Sequence, residues 1–127
     1  MSGRVVTAEG VPPPLAPYSP AMKAGKYIYT SGMLALDNAG KLVGGADAAA
    51  QTRQVLDNIR AIVQAAGGTM RDVVYNTIWL KTMEDYGKMN SVYAEYFPKE
   101  PPARACVRAD LVKPEFLVEI ASVVFIE

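Results

Sequence analysis

The order and spacing of the apolar residues predict an α+β domain, a single sheet with two helices packed on one of its faces. Three observations carry that reading. Ala48, Thr52, Val55, Leu56, Ile59, Ile62, Val63 and Ala66 recur at spacings of three and four, as one buried helical face requires. Residues 72–81 are rich in Val, Tyr, Ile and Trp, the composition of a strand, and residues 26–31, 103–109 and 117–126 read as further strands. The last of these is apolar on both faces. Leu117, Ala121, Val123 and Phe125 point one way, and Val118, Ile120, Val124 and Ile126 the other. Two helices cover only one sheet face, so the second face is expected to bury itself against other subunits.

Residues 11–20 carry five prolines and read as an irregular extended loop. A strand follows over 26–31, closed by Gly32, and residues 37–45 read as turns around at most a short strand. Asp47 is placed to cap the first helix, with Arg53, Asp57 and Arg60 on its outer side. Gly67-Gly68 ends that helix. After the strand at 72–81, Thr82 and Asp85 have the spacing of a capping box. The second helix runs to Phe97 before Pro98, with an inner face of Tyr86, Met89, Tyr93, Tyr96 and Phe97. Two further strands complete the chain, and residues 1–127 form one domain with no internal repeat or linker.

Composition excludes more than it selects. Thirteen basic residues balance thirteen acidic ones, which gives no electrostatic footprint for nucleic acid. No apolar run reaches the length of a membrane span, and residues 1–9 lack the apolar core of a signal peptide, so a cytoplasmic protein is expected. The chain has no histidine, which removes Ser-His-Asp and Cys-His catalysis and histidine-bearing metal sites. One cysteine makes neither an internal disulfide nor a Cys-x-x-Cys centre, and no glycine-rich phosphate loop is present. No cofactor or metal is expected.

What remains points to a small acid. Arg104 and Cys106 are two apart on one predicted strand and share a face, while Glu119 interrupts the apolar run of another. A guanidinium matches a carboxylate as a fork, and a carboxylate in apolar surroundings can activate a water. Each has a plainer reading. Arg104 and Glu119 serve equally as a structural ion pair, and Asn90 as a half-buried residue holding a loop; Cys106 reads as a small packing residue, or as a thiol that the nearby Arg104 acidifies and makes modifiable. The tyrosines at helical spacing read as core.

The segments Ala16-Pro17-Tyr18, Tyr29-Thr30-Ser31-Gly32, Gln51-Thr52-Arg53-Gln54-Val55-Leu56-Asp57-Asn58-Ile59, Ala65-Ala66-Gly67-Gly68, Asn90-Ser91-Val92-Tyr93-Ala94-Glu95-Tyr96-Phe97, Pro102-Ala103-Arg104-Ala105-Cys106-Val107 and Val118-Glu119-Ile120 resemble, in order, those of the YjgF/RidA family of enamine/imine deaminases. The stretches around 66–70, 93–98 and 111–121 are most similar to its RutC-like members, which handle 3-aminoacrylate. The resemblance implies a chorismate-mutase-like fold assembled as a homotrimer, with sites in clefts between subunits. It implies that Arg104 grips the substrate carboxylate and that Glu119 serves the attacking water. Tyr18, Ser31, Gly32, Asn90 and Cys106 match the remaining substrate-binding positions. It further implies a cofactor-free hydrolysis of an enamine or imine acid to an oxo acid and ammonia. Three other readings stay open at this point: an endoribonuclease or translation-inhibitor type of family member, a non-catalytic binder of small acids, and an aminoacrylate peracid reductase.

Overall fold

A computed structural model describes residues 3–127. Its elements are β1 (Val5–Val6), β2 (Ala21–Ala24), β3 (Tyr27–Thr30), α1 (Ala48–Ala65), β4 (Val73–Leu80), α2 (Tyr86–Tyr96), β5 (Ala103–Arg108) and β6 (Val118–Phe125). The strands form one mixed six-stranded sheet in the order β1-β2-β3-β6-β4-β5. Only the β4–β5 pair is parallel, and α2 makes the crossover that a parallel pair requires. Strand β6 is therefore central and β5 lies at an edge.

Alternation along β6 decides the two faces. Val118, Ile120, Ser122 and Val124 are buried, and Val118, Ile120 and Val124 join Val55, Leu56, Ile59, Ile62 and Val63 of α1 and Met89, Val92 and Tyr93 of α2 in one core. Glu119, Ala121, Val123 and Phe125 face the other way and stay half-exposed. Tyr29 of β3 and Tyr75 of β4, both exposed, pair with Val123 and so belong to that same open face. Both helices thus pack on one side of a single sheet, as expected from the sequence.

Helix α1 begins where Asp47 accepts a hydrogen bond from the Ala49 N–H at 3.0 Å, a cap worth about 1 kcal/mol. It ends where Gly67 takes φ 93° and the Gly68 N–H reaches back to the Val63 carbonyl. Its inner face holds two polar residues that the apolar spacing omits, Gln51 and Asn58. Gln51 Nε2 donates to the carbonyls of Gly45 and Glu115 while its Oε1 accepts from the Leu117 N–H. Asn58 Nδ2 donates to the carbonyls of Leu34 and Leu36. These side chains fasten the loops on either side of β3 and β6 to the helix, and so hold the open-face loops in register.

Three local expectations are corrected. The chain has two strands ahead of residue 26, and residues 37–45 form no strand, only an isolated Leu36–Leu42 bridge. Strand β2, with the sequence Ala-Met-Lys-Ala, lacks β-branched residues and is held by pairing with β3 through a two-residue turn at Gly25. Thr82 caps a short 3-10 turn at Met83–Asp85 by accepting from the Glu84 N–H; the reciprocal capping box belongs instead to Thr69 and Asp72. In α2, Tyr86 is exposed and Tyr96 only half-buried, while Val92 is inside. The Tyr96 hydroxyl donates to Asp57 Oδ1 at 2.6 Å, so this ring anchors α2 to the outer side of α1.

Candidate functional site

Two half-sites stand apart in the chain. Arg104 pairs with Asn76 across the parallel β4–β5 register, and Asn76 is fully buried beneath α2. Arg104 therefore lies on the helix-covered face, at the edge strand. Cys106 pairs with Ile78 and shares that face, as strand alternation predicts. Three residues of α2 at positions i, i+4 and i+7 receive the guanidinium. Arg104 Nη2 donates to Asn90 Oδ1 at 2.7 Å and to the Tyr86 hydroxyl at 3.1 Å. Its Cζ lies 4.8 Å from the Tyr93 ring centroid and 5.7 Å from that of Tyr86. Asn90 thus holds Arg104 rather than a loop.

All of these partners are neutral. Among the described residues the ion pairs are Arg53–Glu95 and Arg60–Asp57, and neither involves Arg104. Its charge is oriented without being cancelled. Burial pushes the Cys106 thiol above its ordinary value, and the neighbouring Arg104 charge offsets only part of that. The expectation of an acidified, readily modified cysteine is therefore corrected: the thiol packs half-buried against the core.

The second half-site lies on the open face. Glu119 pairs with Trp79, three residues along β4 from Asn76, which puts its carboxylate on the side of the sheet opposite Arg104. With Leu15, Ala16, Tyr18, Ser31, Gly32, Leu34 and Val112 it lines an open cleft of about 340 Å³. Tyr18 is fixed there by a hydrogen bond from the Leu15 N–H to its hydroxyl, and Ser31 by its N–H to the Pro20 carbonyl. Gly32 answers a close approach: a Cβ at that position would overlap Glu119 Oε2 and come within 2.9 Å of Cδ. Burial alone raises the Glu119 pKa, and among the described residues no counter-charge pairs with it. The structural ion pair of Arg104 with Glu119 within one chain is excluded by their positions.

A buried polar line joins the two half-sites through the core. The Tyr93 hydroxyl accepts from Asn76 Nδ2 at 2.8 Å, and Asn76 Oδ1 accepts from the Ser122 hydroxyl. The Ser122 N–H donates to Thr30 Oγ1 at 2.9 Å, and Thr30 Oγ1 donates to the Ser31 carbonyl at 2.9 Å. Sequence reasoning took Tyr86 and Tyr93 for core alone. The i, i+4, i+7 spacing with Asn90 is the signal that sets them on one stripe. Nothing in the sequence marks Asn76 and Ser122, which sit singly in apolar strands.

Comparison with known proteins shows the family to which the chain belongs. The family described as Endoribonuclease L-PSP matches residues 9–126. A 3-aminoacrylate deaminase RutC from Acinetobacter baylyi is 54% identical over 123 residues, covering 97% of this chain and 98% of its own. The crystal structure of RidA from an Antarctic Psychrobacter superposes with a TM-score of 0.90 at 34% identity, over 98% of this chain and 100% of that one. The YjgF gene product of E. coli gives 0.88 at 31% identity, over 97% and 98%. A putative endoribonuclease from Thermotoga maritima gives 0.91 at 31% identity, over 99% of both chains. With a shared sheet, shared helices and matching sequence over nearly its whole length, this chain belongs to the Endoribonuclease L-PSP family, the family of YjgF and RidA.

Proposed function

We propose that this chain is a cofactor-independent enamine/imine deaminase acting on a small amino-acrylate. 3-Aminoacrylate, giving malonic semialdehyde and ammonia, is the substrate favoured by the 54% identical RutC relative. The observation that carries the reading is Arg104: a guanidinium at an exposed sheet edge, held in place by an amide and two tyrosines, with no carboxylate of its own chain to neutralise it. Such a cation is oriented for an anionic ligand.

Arg104 and Glu119 act on one substrate only if different copies supply them, because the sheet separates them within one chain. The exposed tyrosines of the open face and the unpaired outer edge of β5 supply the surfaces for such an assembly, which we take to be the family's homotrimer. In the shared cleft Arg104, oriented by Asn90, takes the carboxylate, and Tyr18, Ser31, Gly32 and Cys106 complete the wall. The enamine tautomerises to the imine. Glu119 of the other copy then takes a proton from a water, whose oxygen bonds to the imine carbon. Glu119 passes that proton to the imine nitrogen, giving the carbinolamine; the carbinolamine's hydroxyl proton then passes to the amine as the C–N bond breaks, so ammonia leaves and a carbonyl remains. One water is consumed and no electrons are exchanged with a cofactor. A raised Glu119 pKa suits this role, since a stronger base abstracts a water proton more readily.

Ammonia release from freshly generated 3-aminoacrylate and 2-aminoacrylate tests the reading. Wild type should accelerate the first at least, and Arg104→Ala and Glu119→Gln, still folded, should each lose about 10²-fold or more. Absence of acceleration by wild type on both substrates sinks the proposal. Zero formal charge argues against RNA as the substrate, and the absence of histidine removes the usual acid–base pair of RNA cleavage.

A further inference from the structure

Tyr86 helps hold Arg104, and it also stands in the seat that Arg104 offers to a carboxylate. A guanidinium has two forks that can hold a carboxylate through parallel hydrogen bonds. One uses the two terminal nitrogens; the other uses Nε and the terminal nitrogen trans to Cδ, which is Nη2. Nη2 is common to both forks. Its two hydrogens are the ones that meet Asn90 Oδ1 at 2.7 Å and the Tyr86 hydroxyl at 3.1 Å. A bidentate carboxylate therefore requires one of these two acceptors to give way.

The two are unequal. Asn90 makes the shorter bond, lies half-buried in the body of α2, and is flanked by the buried Met89. Tyr86 makes the longer bond, is 43% exposed, and is the first residue of α2. With 43% of its surface exposed, the ring borders solvent into which it can turn. Among the described residues, the hydroxyl has no partner other than Arg104.

We propose that Tyr86 is a specificity-determining placeholder: its hydroxyl oxygen occupies the position of one carboxylate oxygen on Arg104 and is displaced when the acid binds. A ligand with two anionic oxygens at fork spacing replaces the lost bond and adds a second. A neutral amide, or a ligand with one acceptor, replaces it poorly and leaves Tyr86 in place. Tyr86 thereby screens the seat for carboxylates. This rests on the reading of Arg104 as the carboxylate holder.

The test is an NMR titration of the assembled full chain with propanoate, a three-carbon acid without a reactive double bond, and with propanamide. Tyr86→Phe keeps the ring beside the guanidinium and removes only the competing oxygen. It should bind propanoate about three- to ten-fold tighter, the scale of one hydrogen bond to a charged group partly exchanged for water. Propanamide, which the Tyr86 hydroxyl keeps out of the seat, should gain more than propanoate does, so that the preference for the acid narrows. For 3-aminoacrylate the gain should fall on KM rather than kcat. Weaker or unchanged propanoate binding in Tyr86→Phe, while Arg104→Ala abolishes it, overturns the placeholder and leaves the Arg104 reading standing. Propanoate bound as well by Arg104→Ala as by wild type overturns the Arg104 reading, and the placeholder with it.

Discussion

Arg104 and Glu119 project from opposite faces of one sheet, with β4 lying between their strands. In the proposed assembly, each chain offers an arginine half-site to one cleft and a glutamate half-site to another. The buried line from Tyr93 through Asn76, Ser122 and Thr30 to Ser31 joins those two half-sites inside a single copy.

Complementation between defective chains follows from this arrangement. Arg104→Ala and Glu119→Gln homo-oligomers should both be inactive. Refolded together in equal amounts, they should recover about a quarter of wild-type turnover, since a cleft is intact when each of its two chains happens to supply the unaltered half. Steady-state ammonia release from the mixed sample measures it. A mixture as inactive as its parents would place both residues in one chain's site.

The fold was largely legible because its signals are periodic. The face of α1, the two-sided apolarity of β6 and the glycines after α1 each follow from local spacing. Strand β2 was not legible, since its pairing with β3 makes it a strand and its residues do not. The candidate residues could be named from the sequence, but their arrangement could not. Arg104 and Cys106 share a face by counting along one strand. Whether Arg104 and Glu119 share one depends on the registers of β5 and β6 against β4, which no local spacing encodes. Tyr86 was misread because an aromatic residue at helical spacing reads as core whether it meets leucine or arginine.

Gly32 should tolerate no side chain without loss of function. Its φ is not in the left-handed region, so the cost of Gly32→Ala comes from the Cβ meeting the Glu119 carboxylate rather than from backbone strain. Displacing that carboxylate should lower kcat by about 10²-fold, the scale of a misplaced general base, with a stability loss of about 1–3 kcal/mol from overpacking. Turnover together with urea unfolding tests this. Full activity in Gly32→Ala would show that the carboxylate's position does not matter.

Glu119 makes stability and activity pull in opposite directions with pH. Burial raises its pKa above the ordinary glutamate value of 4.5, whereas the unfolded chain titrates near that value. Its contribution to stability is therefore fully present below the unfolded pKa and is lost as pH rises through the folded one. Glu119→Gln should have the Tm of wild type near about pH 4 and a higher Tm at about pH 8. The acid limb of the kcat profile should lie above the usual glutamate range, because only the ionised form accepts a proton from water. An equal Tm difference at both pH values would show that charge burial is not the cause.

Cys106 should behave as a thiol rather than a thiolate. Burial holds its pKa above 9.0, the ordinary value, despite the Arg104 charge. Iodoacetamide should alkylate it more slowly than free cysteine at about pH 7 and faster as the pH is raised, since only the thiolate reacts. Cys106→Ser should keep ammonia release within about ten-fold of wild type, below the usual loss for an acid–base group. Rapid alkylation at neutral pH would reverse this assignment.

Asn76 and Ser122 should prove coupled. They are 0% and 2% exposed, and each satisfies the other in an otherwise apolar layer. Ser122→Ala leaves Asn76 Oδ1 without its partner, and Asn76→Leu leaves both the Ser122 hydroxyl and the Tyr93 hydroxyl without theirs. Each change should destabilise the fold by about 1–3 kcal/mol, the cost of an unsatisfied buried polar group. The double variant removes the pair together and strands only Tyr93. It should therefore be more stable than the sum of the single effects by about 1 kcal/mol or more. Asn76→Leu should also raise KM more than Ser122→Ala does, because Tyr93 loses the amide that fixes its ring under Arg104. Urea unfolding of the four proteins in the cycle, with KM measured alongside, separates the two effects. Additive stabilities would mean the two side chains are satisfied independently, and equal KM values would detach the buried line from the arginine half-site.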